Sequence, residues 1–266
     1  MTMTLTLLRT SLSFALLASA RSNISDDFST YNLSAWDYAD NSMGVTCGSK
    51  TWYLRNHSAV NTTLSLGAGR GLRMLMSSTP CRTTPSTCGG AKMAADHLTG
   101  KTATLYGEYR LVMRAPYTLD GGAAPPTCSP GVYAYFTAGY ASKGGKWNEV
   151  NFGFHPDRDM NGTAVSCEHH DDTGGYHETV ANLGFSYRNS FNTFVVRAAE
   201  GSLSWLVGHG VDGPLKAVHS ANATLTEPMT TRLIFRTNFR DGDPGYMPDT
   251  VLEVSHFKFT PVTMAA

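Results

Sequence analysis

The chain has 266 residues, 41% hydrophobic and 16% charged, enough apolar material for a full core. Lys+Arg and Asp+Glu are both 21, so the formal net charge is zero. That balance excludes the basic field on which nucleic-acid or anionic-membrane binding depends, and a neutral partner fits it better.

In chain order, the first element is "MTMTLTLLRTSLSFALLASA", which reads as a signal peptide over residues 1–20. Arg9 supplies the charged start, "SLSFALLASA" a short apolar run, and Ala18-Ser19-Ala20 a small-x-small cleavage site. The run is too short to cross a bilayer, and no later segment is long enough. Secretion without membrane insertion is therefore expected. Asn23, Asn32, Asn56, Asn61, Asn161 and Asn222 each precede x-Ser/Thr, which suits a glycoprotein. In an oxidising compartment, Cys47, Cys81, Cys88, Cys128 and Cys167 predict two disulfides and one leftover thiol, with the pairing open.

Between frequent Gly and Pro lie short segments rich in Val, Thr, Tyr, Phe and Leu. They include "ATLYGEYRLVMRA", "GVYAYFTAGY", "NEVNFGF", "FNTFVVRAA", "GSLSWLVG", "TRLIFRTNF" and "TVLEVSHFKF". Each is strand-length and partly alternating, and turn signals follow most of them. Only "KMAADHLT" has room for a turn or two of helix. The pattern predicts an all-β sandwich or jelly roll, a single domain over residues 22–261. "LDGGAAPPTCSPG" and "HPDRDMNGTAVSCEHHDDTGGYHE" read as surface loops of the kind that build binding sites at a sandwich rim.

The stretch "KWNEVNFGFHPD" holds the chemistry. Val150, Phe152 and Phe154 alternate with Glu149, Asn151, Gly153 and His155, giving one apolar and one polar face. Trp147 shares the parity of Glu149. Tyr133 and Tyr135 share one face of a neighbouring strand, and Tyr140 falls at the loop after it. Such aromatics suit the apolar faces of sugar rings, although most aromatics of a sandwich belong to its core. Trp205 reads as packing.

These pieces, in this order, resemble glycoside hydrolase family 16, the laminarinase and lichenase relatives with a concanavalin A-like jelly roll. "DDFSTYNLSAWDYAD" looks like the family's opening, "LYGEYRLVMRAP" like the strand before the cleft, and "GVYAYFTAGY" like a cleft strand. "KWNEVNFGF" sits where the E-x-D-x-E motif belongs, and "EPMTTRLIFRTNF" and "LEVSHFKFTP" look like the closing strands. The resemblance implies that Glu149 holds the nucleophile's position, Asn151 that of the middle Asp, and Gly153 that of the acid/base. A register with one extra residue would put Phe154 there instead. Either way the family's general acid is lost, and such a group is worth about 10²–10⁴-fold in rate. The strand after "YG" departs too, with Arg110 and Val112 at positions commonly acidic and basic, which suggests rewritten polar support near the cleft.

The leading expectation is a secreted protein that binds a neutral polysaccharide or oligosaccharide, of β-glucan type, in an open cleft with impaired hydrolysis. A second is an active glycosidase or transglycosylase with a replacement acid/base from His155, Glu168 or Glu178. A third is an extracellular binding module without carbohydrate. No cofactor and no metal is expected: "EHHDDTGGYHE" lacks ordinary zinc spacing and reads as a solvated loop. The oligomeric state is open.

Overall fold

The computed structural model describes residues 23–29, 34–38, 44–47, 50–53, 61–66, 69–76, 97–118, 132–143, 146–155, 161–171, 175–237 and 250–262. The signal-peptide reading and Cys81, Cys88 and Cys128 lie outside them, as do Asn32 and Asn56 of the sequons. Among the described residues there is strand and turn but no helix.

Two antiparallel sheets face one another. The first runs β15 (Lys216–Ala221), β14 (Ser202–Gly208), β13 (Asn192–Ala199), β8 (Gly107–Thr118), β17 (Thr250–Pro261), β6 (Gly69–Met76) and β5 (Asn61–Leu66), with β1 (Ile24–Asp26) also paired on β17. The second runs β12 (Tyr176–Asn182), β11 (Ala164–His170), β10 (Lys146–Phe154), β9 (Val132–Lys143), β16 (Met229–Thr237), β7 (His97–Thr104) and β2 (Trp36–Tyr38). A small hairpin pairs β3 (Gly44–Cys47) with β4 (Lys50–Tyr53). The crossovers between sequence order and sheet order make this a jelly-roll sandwich.

The period-two pattern sets which face of each strand is buried. Val150, Phe152 and Phe154 point into the core, and Phe152 meets Phe194 of the opposite sheet edge-on at 5.5 Å. Phe136 meets Phe257 at 6.5 Å in the same way. Near the start of the chain, Asp26 accepts hydrogen bonds from the Phe28 amide at 2.7 Å and from the buried Trp36 Nε1 at 2.9 Å. Phe28 has φ +49°, a conformation that side chains rarely adopt, and the Asp26 bond holds the turn that needs it. Trp36 then stacks edge-on against Phe257 at 5.4 Å, tying this segment to β17. The "DDF…W" pattern is therefore a structural clamp.

Several expectations are corrected. The described residues of "HPDRDMNGTAVSCEHHDDTGGYHE" are mostly strand: they hold β11 and the start of β12, which extend the second sheet. The alternation is obscured because β11 is buried on both faces, with Ser166 and Glu168 as buried as Val165 and Cys167. The described part of "KMAADHLT", His97–Thr99, is strand, because it pairs with β16. Tyr140 is within β9 rather than in a loop after it. Arg110 is on the first sheet, where Glu108 and Arg110 pair at 3.1 Å on the face turned away from Tyr109 and Leu111 in the core. Val112 is fully buried there. Both positions therefore lie on the first sheet, and Glu149 lies on the second. Cys167 is a buried free thiol.

Candidate functional site

The outer face of the second sheet is built by register. In an antiparallel pair, partners opposite one another put their side chains on the same face. Glu149 is opposite His170 of β11 and Tyr140 of β9. Asn151 is opposite Glu168 and Thr137, and Gly153 opposite Ser166 and Tyr135. A bulge in β9 near Ala138 shifts its register, while β10 itself stays regular. Phe154 is consequently core, and Gly153 is the residue that shares the face of Glu149.

Glu149 is held from two sides. Trp147 Nε1–H donates to its Oε2 at 2.8 Å, and Asn151 Nδ2–H donates to its Oε1 at 2.9 Å. Trp147 is 47% exposed and lies flat on His170, with ring centroids 4.3 Å apart and planes 6° from parallel. Tyr176 of β12, also exposed, lies against His170 at 4.8 Å with its ring tilted by 38°, and Tyr140 meets Trp147 edge-on at 6.3 Å. The result is an aromatic platform beside a carboxylate. Beneath it, the β10 backbone is fixed by the buried Trp205, whose Nε1–H donates to the Asn151 carbonyl at 2.8 Å. Trp205 is thus packing, and also support for the site. The side chain of Tyr133 lies outside the described residues.

The position of Gly153 is occupied from elsewhere. A Cβ there would meet Glu168 Oε1 at 2.5 Å, His155 Nε2 at 2.7 Å and Tyr135 Cε1 at 3.1 Å. Glu168 is buried, and its Oε1 lies 3.3 Å from His155 Nε2. The His155 ring stands edge-on to Tyr135 at 5.4 Å. Glu178, on β12, accepts from Ser166 Oγ at 2.6 Å. His155, Glu168 and Glu178 offer ligand atoms all within 4.8 Å of one another, a set that could take a divalent cation. Its members come from the end of β10, from β11 and from β12, which linear spacing does not show.

Sequence reasoning missed Arg232. Its guanidinium lies 3.6 Å over the Tyr140 ring, on the same face as Thr137. Burial pulls its pKa down, while Tyr140 and the charge of Glu149 act the other way. An Arg opening the apolar run "RLIF" was the available signal. On the same floor the buried Asn151 Oδ1 and Thr137 Oγ1 have no hydrogen-bond partner among the described residues, and water or a ligand hydroxyl would satisfy them.

No family model matches the chain. In sequence it is 27% identical over 217 residues to a β-glucanase of Bacillus licheniformis, covering 80% of this chain and 74% of that protein. It is 30% identical over 121 residues to a β-glucanase of Paenibacillus polymyxa, covering 45% of this chain and about half, 48%, of that one. A solved Bacillus licheniformis β-glucanase superposes with TM-score 0.66 at 21% identity, covering 90% of this chain and 98% of that chain. A glycoside hydrolase family 16 endo-glucanase from Bacteroides ovatus does so with TM-score 0.60 at 11% identity, covering 89% and 99%. With the two sheets and the outer face of β10 already described, these likenesses show that the chain shares the jelly-roll fold of β-glucanases and of a glycoside hydrolase family 16 endo-glucanase.

Proposed function

We propose that the protein binds a neutral β-glucan-type polysaccharide in the open cleft over β9 to β12. Trp147 is the platform for one sugar ring, and Glu149 is the carboxylate at the reacting centre. The observation that carries this reading is the pinned Trp147: an exposed flat ring, stacked on His170, whose own N–H holds Glu149. Stacking supplies apolar contact to a pyranose face while the carboxylate stays within reach of its hydroxyls. Among the described side chains, Glu149, Glu168 and Glu178 share this face with the guanidinium of Arg232, an excess of carboxylates that disfavours a sulfated or uronic chain. Gly153 alone argues for binding with impaired hydrolysis. Glu168 in the space above it argues for retained acid–base chemistry, and the geometry favours the latter.

Export is part of the same proposal, supported by the leader-like residues 1–20 and by the exposed sequon residues Asn23, Asn161 and Asn222. Affinity electrophoresis in gels containing lichenan, laminarin or carrageenan tests the cleft. Retardation by the first two and not the third is expected, with Trp147→Ala weakening it about tenfold, ~1.4 kcal/mol. Equal mobility in all gels would refute the reading.

A further inference from the structure

This inference rests on the polysaccharide-cleft reading and extends it to the chemistry. We propose that Glu168, reaching over from β11, is the general acid/base of the cleft, and that Gly153 is the residue that makes room for it.

The family's two carboxyl groups belong to one strand, four residues apart, or about 13 Å of extended backbone at ~3.3 Å per residue. Here Glu149 is opposite His170 and Glu168 is opposite Asn151, so the two glutamates are diagonal neighbours on adjacent strands. Diagonal neighbours on one face are only about 7–8 Å apart. The carboxyl ends are placed by their contacts. That of Glu149 is beside the Asn151 amide at 2.9 Å, and that of Glu168 is 2.5 Å from the Cβ site of residue 153. The backbone positions that carry those contacts, residues 151 and 153, are about 6.6 Å apart along the strand. Retaining pairs stand roughly 5–5.5 Å apart, a separation of the same order.

Burial and partners also suit the role. Glu168 is 3% exposed, so it is not a solvated rim charge. His155 Nε2, 3.3 Å from Oε1, orients the carboxyl group, and Tyr135 in turn seats the imidazole. Any side chain at position 153 would collide with both groups. The glycine and the buried glutamate are therefore one exchange: the proton donor has moved from β10 to β11.

In the first step a Glu149 carboxylate oxygen bonds to the anomeric carbon. The glycosidic C–O bond breaks with its electron pair going to the leaving oxygen, which takes the proton of the Glu168 carboxyl group. In the second, Glu168 carboxylate takes a proton from water, whose oxygen attacks the anomeric carbon and releases Glu149 as carboxylate. The sugar leaves with its configuration retained, and Glu168 is again protonated.

The test compares the wild-type protein with Glu168→Gln, Glu168→Ala and Glu149→Ala on lichenan, laminarin and a 2,4-dinitrophenyl β-gluco-oligosaccharide. Glu168→Gln is expected to lower kcat/KM on the polysaccharide by about 10²–10⁴ and to remove the alkaline limb of its pH profile. The loss on the dinitrophenyl substrate should be far smaller, because that leaving group needs no proton. Azide should restore turnover of Glu168→Ala and yield the β-glycosyl azide, whereas Glu149→Ala should yield the α-anomer. Retained gel retardation by the two Glu168 variants shows an intact cleft. Wild-type turnover by Glu168→Gln would overturn the proposal, as would a wild-type protein that binds glucan without cleaving it. Loss of activity on chelation would overturn it as well, since His155, Glu168 and Glu178 would then be holding a cation. Absence of glucan binding altogether would instead sink the cleft reading, and this proposal with it.

Discussion

Gly153→Ala separates the site from the fold more cleanly than any substitution of a charged residue. The backbone at 153 is ordinary strand, so alanine fits it without strain. Restricting the unfolded chain stabilises by about 0.4–1 kcal/mol, offset by the cost of moving two side-chain ends. The fold should therefore hold, with Tm within roughly 2–4 °C of wild type. The site should not. The new methyl carbon would be 2.5 Å from Glu168 Oε1, and ordinary contact begins at 3.4 Å, so the carboxyl group must retreat by 3.4 − 2.5 = 0.9 Å. His155 Nε2, at 2.7 Å, must move as well. A displacement near 1 Å of a catalytic group costs on the order of 10²-fold in rate. The assay is kcat/KM on lichenan or laminarin, with thermal melting and gel retardation on the same preparations. A folded, glucan-binding Gly153→Ala protein with wild-type kcat/KM would refute the reasoning.

Three further outcomes follow from the same structure. Asp26→Ala leaves the Phe28 amide and the buried Trp36 Nε1 without their acceptor, and should cost about 2–4 kcal/mol, read as a lower urea midpoint. The thiol of Cys167 is pushed up to about 12, chiefly by burial and then by the charge of Glu168. It should ignore Ellman's reagent at pH 8 in the native protein and react once urea unfolds it. The pKa of His169 is lowered from 6.5, first by burial and then by His177 stacked on it at 4.7 Å, with His219 and His170 adding to the shift and Asp171 opposing it. Its protonation is harder in the folded state, so stability should be full above pH 6.5 and decline as pH falls below it. His256 is lowered too, by burial and then by Arg110, and adds to the same decline. His169→Gln should shrink the loss of Tm on acidification; an unchanged pH dependence would discount this histidine.

Some of the site was legible in the linear chain. Alternation in "NEVNFGF" placed Glu149, Asn151 and Gly153 on one face and Phe152 and Phe154 in the core, because side-chain parity along a strand is a local property. Trp147 shared that parity and is indeed hydrogen-bonded to Glu149. Glu168 was misplaced because its strand is buried on both faces, which erases the alternation that identifies a strand. Arg232 was overlooked because its partner Tyr140 belongs to a strand distant in sequence.

The sequence by itself determined the class of fold and the absence of a proton donor at position 153. Both depend on residue identity and on periods of two along single strands. Only the tertiary structure decided what fills the space over Gly153. The register of β10 against β11 sets Glu168 opposite Asn151, and register is a relation between strands that composition and spacing do not encode.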